Sequence, residues 1–182
     1  MSRPSRSGTL YPLSLPLPLS FALATAIAFA GPARARAQDQ IGIAVGTTPE
    51  AVELEDLEGN PVSLADYTGE KPVLLEFWAT WCPLCKALEP RMRAAFDEYG
   101  DEVEFLIIAV AVNQTRRRVG RHVAEHEMPG KVLWDGEGAA VRAFMAPSTS
   151  YVVVLNADGK VAYTGLGDDQ DIEAAIARAL GQ

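Results

Sequence analysis

Two cysteines three residues apart, Cys82 and Cys85, stand in the segment Phe77-Trp78-Ala79-Thr80-Trp81-Cys82-Pro83-Leu84-Cys85 and are the only thiols in 182 residues. The apolar run Val73 to Trp78 before them has the length and composition of a strand buried on both faces. Pro83 is a residue that the first turn of a helix accepts, so the cysteines mark the point where a strand gives way to a helix. A thiol at a helix entrance meets unpaired N–H groups and the positive end of the dipole, both of which favour thiolate. A second thiol one turn on is close enough to attack a mixed disulfide formed by the first. The spacing therefore points to reversible dithiol–disulfide exchange, with Cys82 as nucleophile, its sulfur near solvent, and Cys85 as the shielded resolving thiol. A purely structural clip is the rival reading, but closing so short a loop restrains few unfolded conformations.

Glu76 is a single acid inside Leu74-Leu75-Glu76-Phe77-Trp78, six residues before Cys82. Desolvation makes a carboxyl in such a strand titrate late, which suits it to accept the proton of Cys85 as general base. Trp81 and Leu84 flank the thiols as an apolar rim for a docking polypeptide, and Trp78 reads as core. His122-x-x-x-His126 puts two imidazoles on one helical face and, with the thiols, suggests a zinc site. The chain between Cys85 and His122 is far longer than in compact fingers, and its buried strand places that helix elsewhere, so the histidines read as solvated.

The rest of the chain supplies the elements that position these groups. Residues 38–49 show no periodicity and read as an N-terminal arm, followed by a β-hairpin at 51–55 and 62–64 around the turn Glu58-Gly59-Asn60-Pro61. After the strand at 73–78, the spacing predicts a helix from Pro83 to Tyr99-Gly100 with Pro90 inside it, where one backbone hydrogen bond is lost and a kink is expected. A buried strand over 103–112, a helical pattern over 113–127, a strand at 131–134 and a short helix at 138–144 follow. Strands at 150–155 and 160–164 around Asn156-Ala157-Asp158-Gly159, then a helix over 168–180 with one apolar stripe, end the chain. Strands joined by helices predict a parallel half-sheet, and the hairpins add antiparallel strands.

The first 37 residues carry arginines without acids, an apolar stretch from Leu10 to Ala30 broken early by Pro12, Pro16 and Pro18, and an Ala33-Arg34-Ala35-Arg36-Ala37 cleavage-like site. This is the order of a secretory signal peptide, and its unbroken apolar part falls short of the roughly 20 residues that span a bilayer. An uncleaved membrane anchor is the alternative. Beyond Ala37 the chain carries twelve basic against twenty-four acidic residues, a formal charge of −12. Such a surface repels nucleic acid and anionic lipid. The cluster Arg116-Arg117-Arg118-x-x-Arg121 reads as a solvated helix face. About 145 residues remain beyond Ala37, the arm at 38–49 and one ordinary domain at 50–182 that needs no disulfide scaffold.

Glu76, Phe77-Trp78, Trp81-Cys82-Pro83-Leu84-Cys85 and a proline five residues on, Pro90, resemble the thioredoxin superfamily. More narrowly they resemble exported TlpA-like thiol:disulfide reductases of the kind that serve cytochrome c maturation. The Leu57-Glu58-Gly59-Asn60-Pro61-Val62-Ser63-Leu64 hairpin and Val132-Leu133-Trp134-Asp135 extend the likeness over residues 48–180. The resemblance implies an α/β thioredoxin-like fold, a central mixed sheet flanked by helices with an added N-terminal β-hairpin. It also implies a cis-proline facing the disulfide, for which Pro147 in Ala146-Pro147-Ser148-Thr149 is the candidate, three residues further from the Asp158-Gly159 turn than usual. Trp81, Pro83, Leu84 and Ala146 would then contact client. The expected activity is reduction of disulfides in cysteine-containing clients outside the cytoplasm, as in a bacterial periplasm. The protein would act as a monomer, with no metal or organic cofactor beyond the Cys82–Cys85 pair and a membrane electron donor behind it. An extracytoplasmic dithiol oxidase is the nearest alternative. A peroxiredoxin-like peroxidase is another, although Leu75 to Trp81 lacks the proline that such enzymes place before their cysteine.

Overall fold

A computed structural model describes residues 41–182 together with the isolated Gly8, so the signal-like segment lies outside the described residues. The chain divides at Arg36/Ala37 into two units, and the fold below is that of the second. Among the described residues seven strands form one sheet: β1 (Glu53–Glu55), β2 (Pro61–Ser63), β3 (Val73–Trp78), β4 (Glu104–Val110), β5 (Lys131–Asp135), β6 (Tyr151–Leu155) and β7 (Val161–Leu166). Their spatial order is β2-β1-β5-β4-β3-β6-β7. The pairs β3/β4 and β4/β5 are parallel, and all other pairs are antiparallel. The helices are α1 (Pro83–Tyr99), α2 (Arg116–Glu125), α3 (Ala139–Ala143) and α4 (Ile172–Leu180). This is the mixed α/β architecture that the resemblance implies.

Strand β3 lies between β4 and β6, and every one of its residues is buried. Alternation of side chains gives it two distinct faces. Leu74 and Trp78 pack with Cys82, Cys85, Leu88, Met92, Val119 and Ile176, which places α1, α2 and α4 on one side. Val73, Leu75 and Phe77 pack on the other side with Ile43, Ala140, Phe144 and Tyr151. Glu76 shares the pleat direction of Leu74 and Trp78 and so faces the cysteine side.

The second face is closed by the arm. The Ile43 N–H donates to Phe144 O (3.1 Å), Gly46 N–H to Val161 O (2.7 Å) and Val161 N–H to Thr47 O (2.9 Å). Fully buried Tyr151 ties the arm further, its hydroxyl accepting from Ile43 N–H (3.1 Å) and donating to Ile41 O (3.2 Å). Gly42 between them has φ 74°, and a Cβ there would strike the Tyr151 hydroxyl. Tyr151→Phe leaves Ile41 O unpaired and Ile43 N–H with Phe144 O as its one acceptor, and is expected to cost about 1–3 kcal/mol. The check is a lower urea midpoint at unchanged slope, with cleavage by protease appearing first in residues 41–47.

Three boundaries differ from expectation. Strand β4 ends at Val110, not 112: Val112 is 56% exposed and Asn113 takes φ 54°, so the apolar tail Ala111-Val112 leaves the sheet and turns toward the thiols. Helix α2 starts only at Arg116, where the Thr115 hydroxyl accepts from Arg118 N–H (3.3 Å). Helix α4 starts at Ile172 because the Asp171 carboxylate caps Ala174 N–H (3.0 Å).

Candidate active site

The loop from β3 to α1 is held by groups from the end of β4. Gln114 Oε1 accepts from both the N–H and the hydroxyl of Thr80 (3.0 Å each), while its Nε2 donates to Val110 O (2.6 Å). Trp81 Nε1 donates to Val112 O (2.8 Å), so the indole is pinned although 40% exposed. Cys82 N–H donates to Ala79 O (3.0 Å), closing the turn that delivers Cys82 to the N-cap of α1. Pro83 occupies the first turn, where no N–H is required. Sequence reasoning missed Gln114 and Val112, since the apolar pattern into Val112 looked like strand.

Cys82 and Cys85 are joined as a disulfide, with Cα atoms 5.3 Å apart. Cys82 Sγ accepts the Cys85 backbone N–H at 3.0 Å, and a donor of this kind at a helix entrance favours thiolate over thiol. Both cysteines are buried, at 6% and 2% exposure, so the expected solvent-facing Cys82 sulfur is instead recessed. What distinguishes them is the cavity of about 360 Å³ at the helix entrance, lined by Trp81, Cys82, Pro83 and Lys86 but not by Cys85. Leu84, 44% exposed, stands outside it.

Glu76 is 3% exposed and its Oε1 has no hydrogen-bond partner among the described residues. Desolvation, with a smaller push from the charge of Glu89, raises its carboxyl to about 8. Below about pH 8 it is therefore held as the uncharged acid, on the side of the sheet where Cys85 packs.

Two expectations are corrected. The peptide bond before Pro147 is trans, since no cis bond occurs among the described residues, and neither Ala146 nor Pro147 lines the Cys82 cavity. The reason is register: Ser150, three residues later, meets the end of β3, its N–H donating to Phe77 O at 2.7 Å. Ser150 takes φ 64° and is braced by Gln170, whose Nε2 donates to Ser150 O (3.1 Å), and by its own hydroxyl donating to Gly167 O (3.0 Å). The segment Ala146 to Thr149 is therefore extra loop ahead of β6. The histidines, in turn, are not remote. His122 lies against Trp78 (ring centroids 5.2 Å) and stacks on His126 (4.1 Å), and both line the cavity with Cys82. Helix α2 returns to the thiol end because β3 and β4 are parallel neighbours. Among the described residues no group of three or more His, Cys, Asp or Glu is arranged to hold a metal ion.

Reversible dithiol–disulfide exchange is the chemistry these contacts favour, and on this sheet it is the chemistry of a thioredoxin-like thiol:disulfide oxidoreductase. A model of the redoxin family matches residues 44–180. The thiol-disulfide oxidoreductase ResA of Geobacillus kaustophilus is 31% identical over 134 residues, 72% of this chain and 75% of the relative. The thioredoxin-like protein YneN of Bacillus subtilis is 29% identical over 116 residues, 63% of this chain and 68% of that protein. In fold, the exposed lipoprotein thioredoxin of Streptococcus pneumoniae matches with TM-score 0.62 at 24% identity, over 73% of this chain and 100% of that one. StoA of Bacillus subtilis matches with TM-score 0.58 at 20% identity, over 70% and 95% of the two chains. The chain belongs to the redoxin family, within the TlpA-like part of the thioredoxin superfamily.

Proposed function

We propose that this protein is an extracytoplasmic protein-disulfide reductase in which Cys82 and Cys85 carry the two electrons without a metal or organic cofactor. The observation that carries the reading is a helix-capping Cys82 open to a cavity, with an uncharged, unpartnered Glu76 on the Cys85 side of the sheet. The reduced protein attacks a client disulfide through the Cys82 thiolate, forming a mixed disulfide and releasing one client sulfur as thiolate. In the molecules whose Glu76 is ionised, a fraction that grows toward pH 8, the carboxylate takes the proton of Cys85 and the Cys85 thiolate attacks Cys82 Sγ. The second client sulfur leaves, the client is reduced by two electrons, and the Cys82–Cys85 disulfide remains.

Export is supported by the signal-like order of residues 1–37. No helix among the described residues is long and apolar enough to cross a membrane. An exported dithiol in an oxidising compartment needs replenishing, and a membrane electron donor is the partner proposed for that step. The protein would meet donor and client in turn as a monomer, through the Trp81, Pro83 and Leu84 rim.

The reduction potential tests the direction of flow. Equilibration of the Cys82–Cys85 pair against dithiothreitol or glutathione buffers is expected to give a value near that of thioredoxin, about −270 mV. A value near the strong periplasmic oxidant DsbA, about −120 mV, would reverse the assignment to an oxidase. A pair that resists reduction would leave only a structural clip.

A further inference from the structure

The domain beyond Ala37 is strongly acidic, yet the margin of the Cys82 cavity is not. Lys86 is exposed on α1, and the cavity continues past Thr80 and His122 into a second one of about 180 Å³ lined by Thr80, Arg118, Arg121, His122 and Glu125. Arg118 and Arg121 are exposed, and among the described residues neither takes part in an ion pair, unlike Arg93 and Arg116. Three side-chain cations thus rim the path leading from the sulfur along α2, against the carboxylates of Glu89 and Glu125 on the same walls.

We propose that the two cavities form one client groove that selects polypeptides carrying Asp or Glu beside the cysteine to be reduced. The inference deepens the reductase reading and rests on it. In a domain that carries −12 beyond Ala37, acidic clients meet net repulsion, so a local basic rim orients them with their disulfide toward Cys82. Trp81 and Leu84 give apolar contact on the other side of the sulfur, and Arg118 and Arg121 read charge along α2. Because the rim is exposed, its contribution is screened by salt.

The test uses the full domain and three disulfide-bonded peptides with Asp, Asn or Lys flanking the cysteines, compared by kcat/KM. The Asp peptide is expected to be reduced fastest and the Lys peptide slowest. In R118E/R121E the preference for Asp over Lys should fall by about fivefold or more, the sum of two exposed ion pairs and their reversal. The same change in net charge placed at the far end of the sheet, as K71E/K160E, should leave the preference intact. Arg118→Glu falls in the first turn of α2, where a carboxylate favours the helix, and an unchanged circular dichroism spectrum checks that the double variant keeps its fold. Raising salt to 0.5 M should compress the three rates toward one value. Equal rates for the three peptides in the wild type, or the same loss in the remote variant, would overturn the proposal while leaving the reductase intact. Failure to reduce any of the peptides would overturn both.

Discussion

Cys85→Ser protein, reduced and mixed with a disulfide-bonded client, is expected to accumulate a covalent complex on a non-reducing gel that dithiothreitol dissolves. Cys82→Ser is expected to trap almost nothing. The assignment rests on access and on where the free donors point. Only Cys82 lines the cavity, and its sulfur receives the Cys85 N–H at the start of α1, so it is the sulfur that a client reaches and that ionises first. Cys85, 2% exposed, meets no client directly. Its attack is effectively intramolecular, and removing it forfeits a large effective concentration, so steady-state turnover should fall by more than about 10²-fold. Trapping by Cys82→Ser with Cys85→Ser inert would reverse the two roles. Trapping by neither would argue against exchange with proteins.

Glu76→Gln is expected to slow the second half of the cycle by about 10²-fold while Cys82 still alkylates readily. Turnover of the wild type should rise with pH through about 8, where the carboxyl ionises, and the variant should lose that step. The same group governs stability. Its folded pKa is raised above the ordinary value of 4.5, so between pH 4.5 and about 8 the unfolded chain has already released a proton that the native state retains. Native stability therefore falls as pH rises through that window and levels off above it. The loss is on the order of 3 kcal/mol by pH 7. Glu76→Gln should flatten the slope, as read by urea unfolding at pH 5, 6, 7 and 8. Identical slopes in the two proteins, with unchanged turnover across the range, would deny Glu76 any proton-transfer role.

Much of this site was legible because its chemistry lies in one contiguous segment. The run Val73 to Cys85 combines a doubly buried strand, a lone acid and a helix entrance, and local periodicity is enough to place all three. What was not legible comes from elsewhere in the chain and depends on tertiary pairing. Gln114 and Val112 reach Thr80 and Trp81 across more than thirty residues, and His122 meets Trp78 only because the return of α2 follows the parallel pairing of β3 and β4. The position of Pro147 failed for a related reason. A proline near a strand start is visible in sequence, but which residue abuts Phe77 is set by register, and that residue is Ser150. In β4 the apolar pattern overran the strand, because Val112 is exposed where it accepts the Trp81 indole.

The alternation along β3 has a consequence for what lengths of chain can be inherited. One face carries the acid behind the thiols and the other carries Phe77, which meets Phe144 at 5.7 Å and Tyr151 at 5.6 Å. Losing or gaining a single residue between Val73 and Trp78 would exchange the faces, driving the carboxyl of Glu76 into the aromatic layer and turning Phe77 toward the cysteines. Point substitution on the aromatic side, by contrast, leaves the carboxyl where it is. Insertions and deletions should therefore be purged from this strand in living populations even where apolar exchanges at Val73 or Leu75 are tolerated.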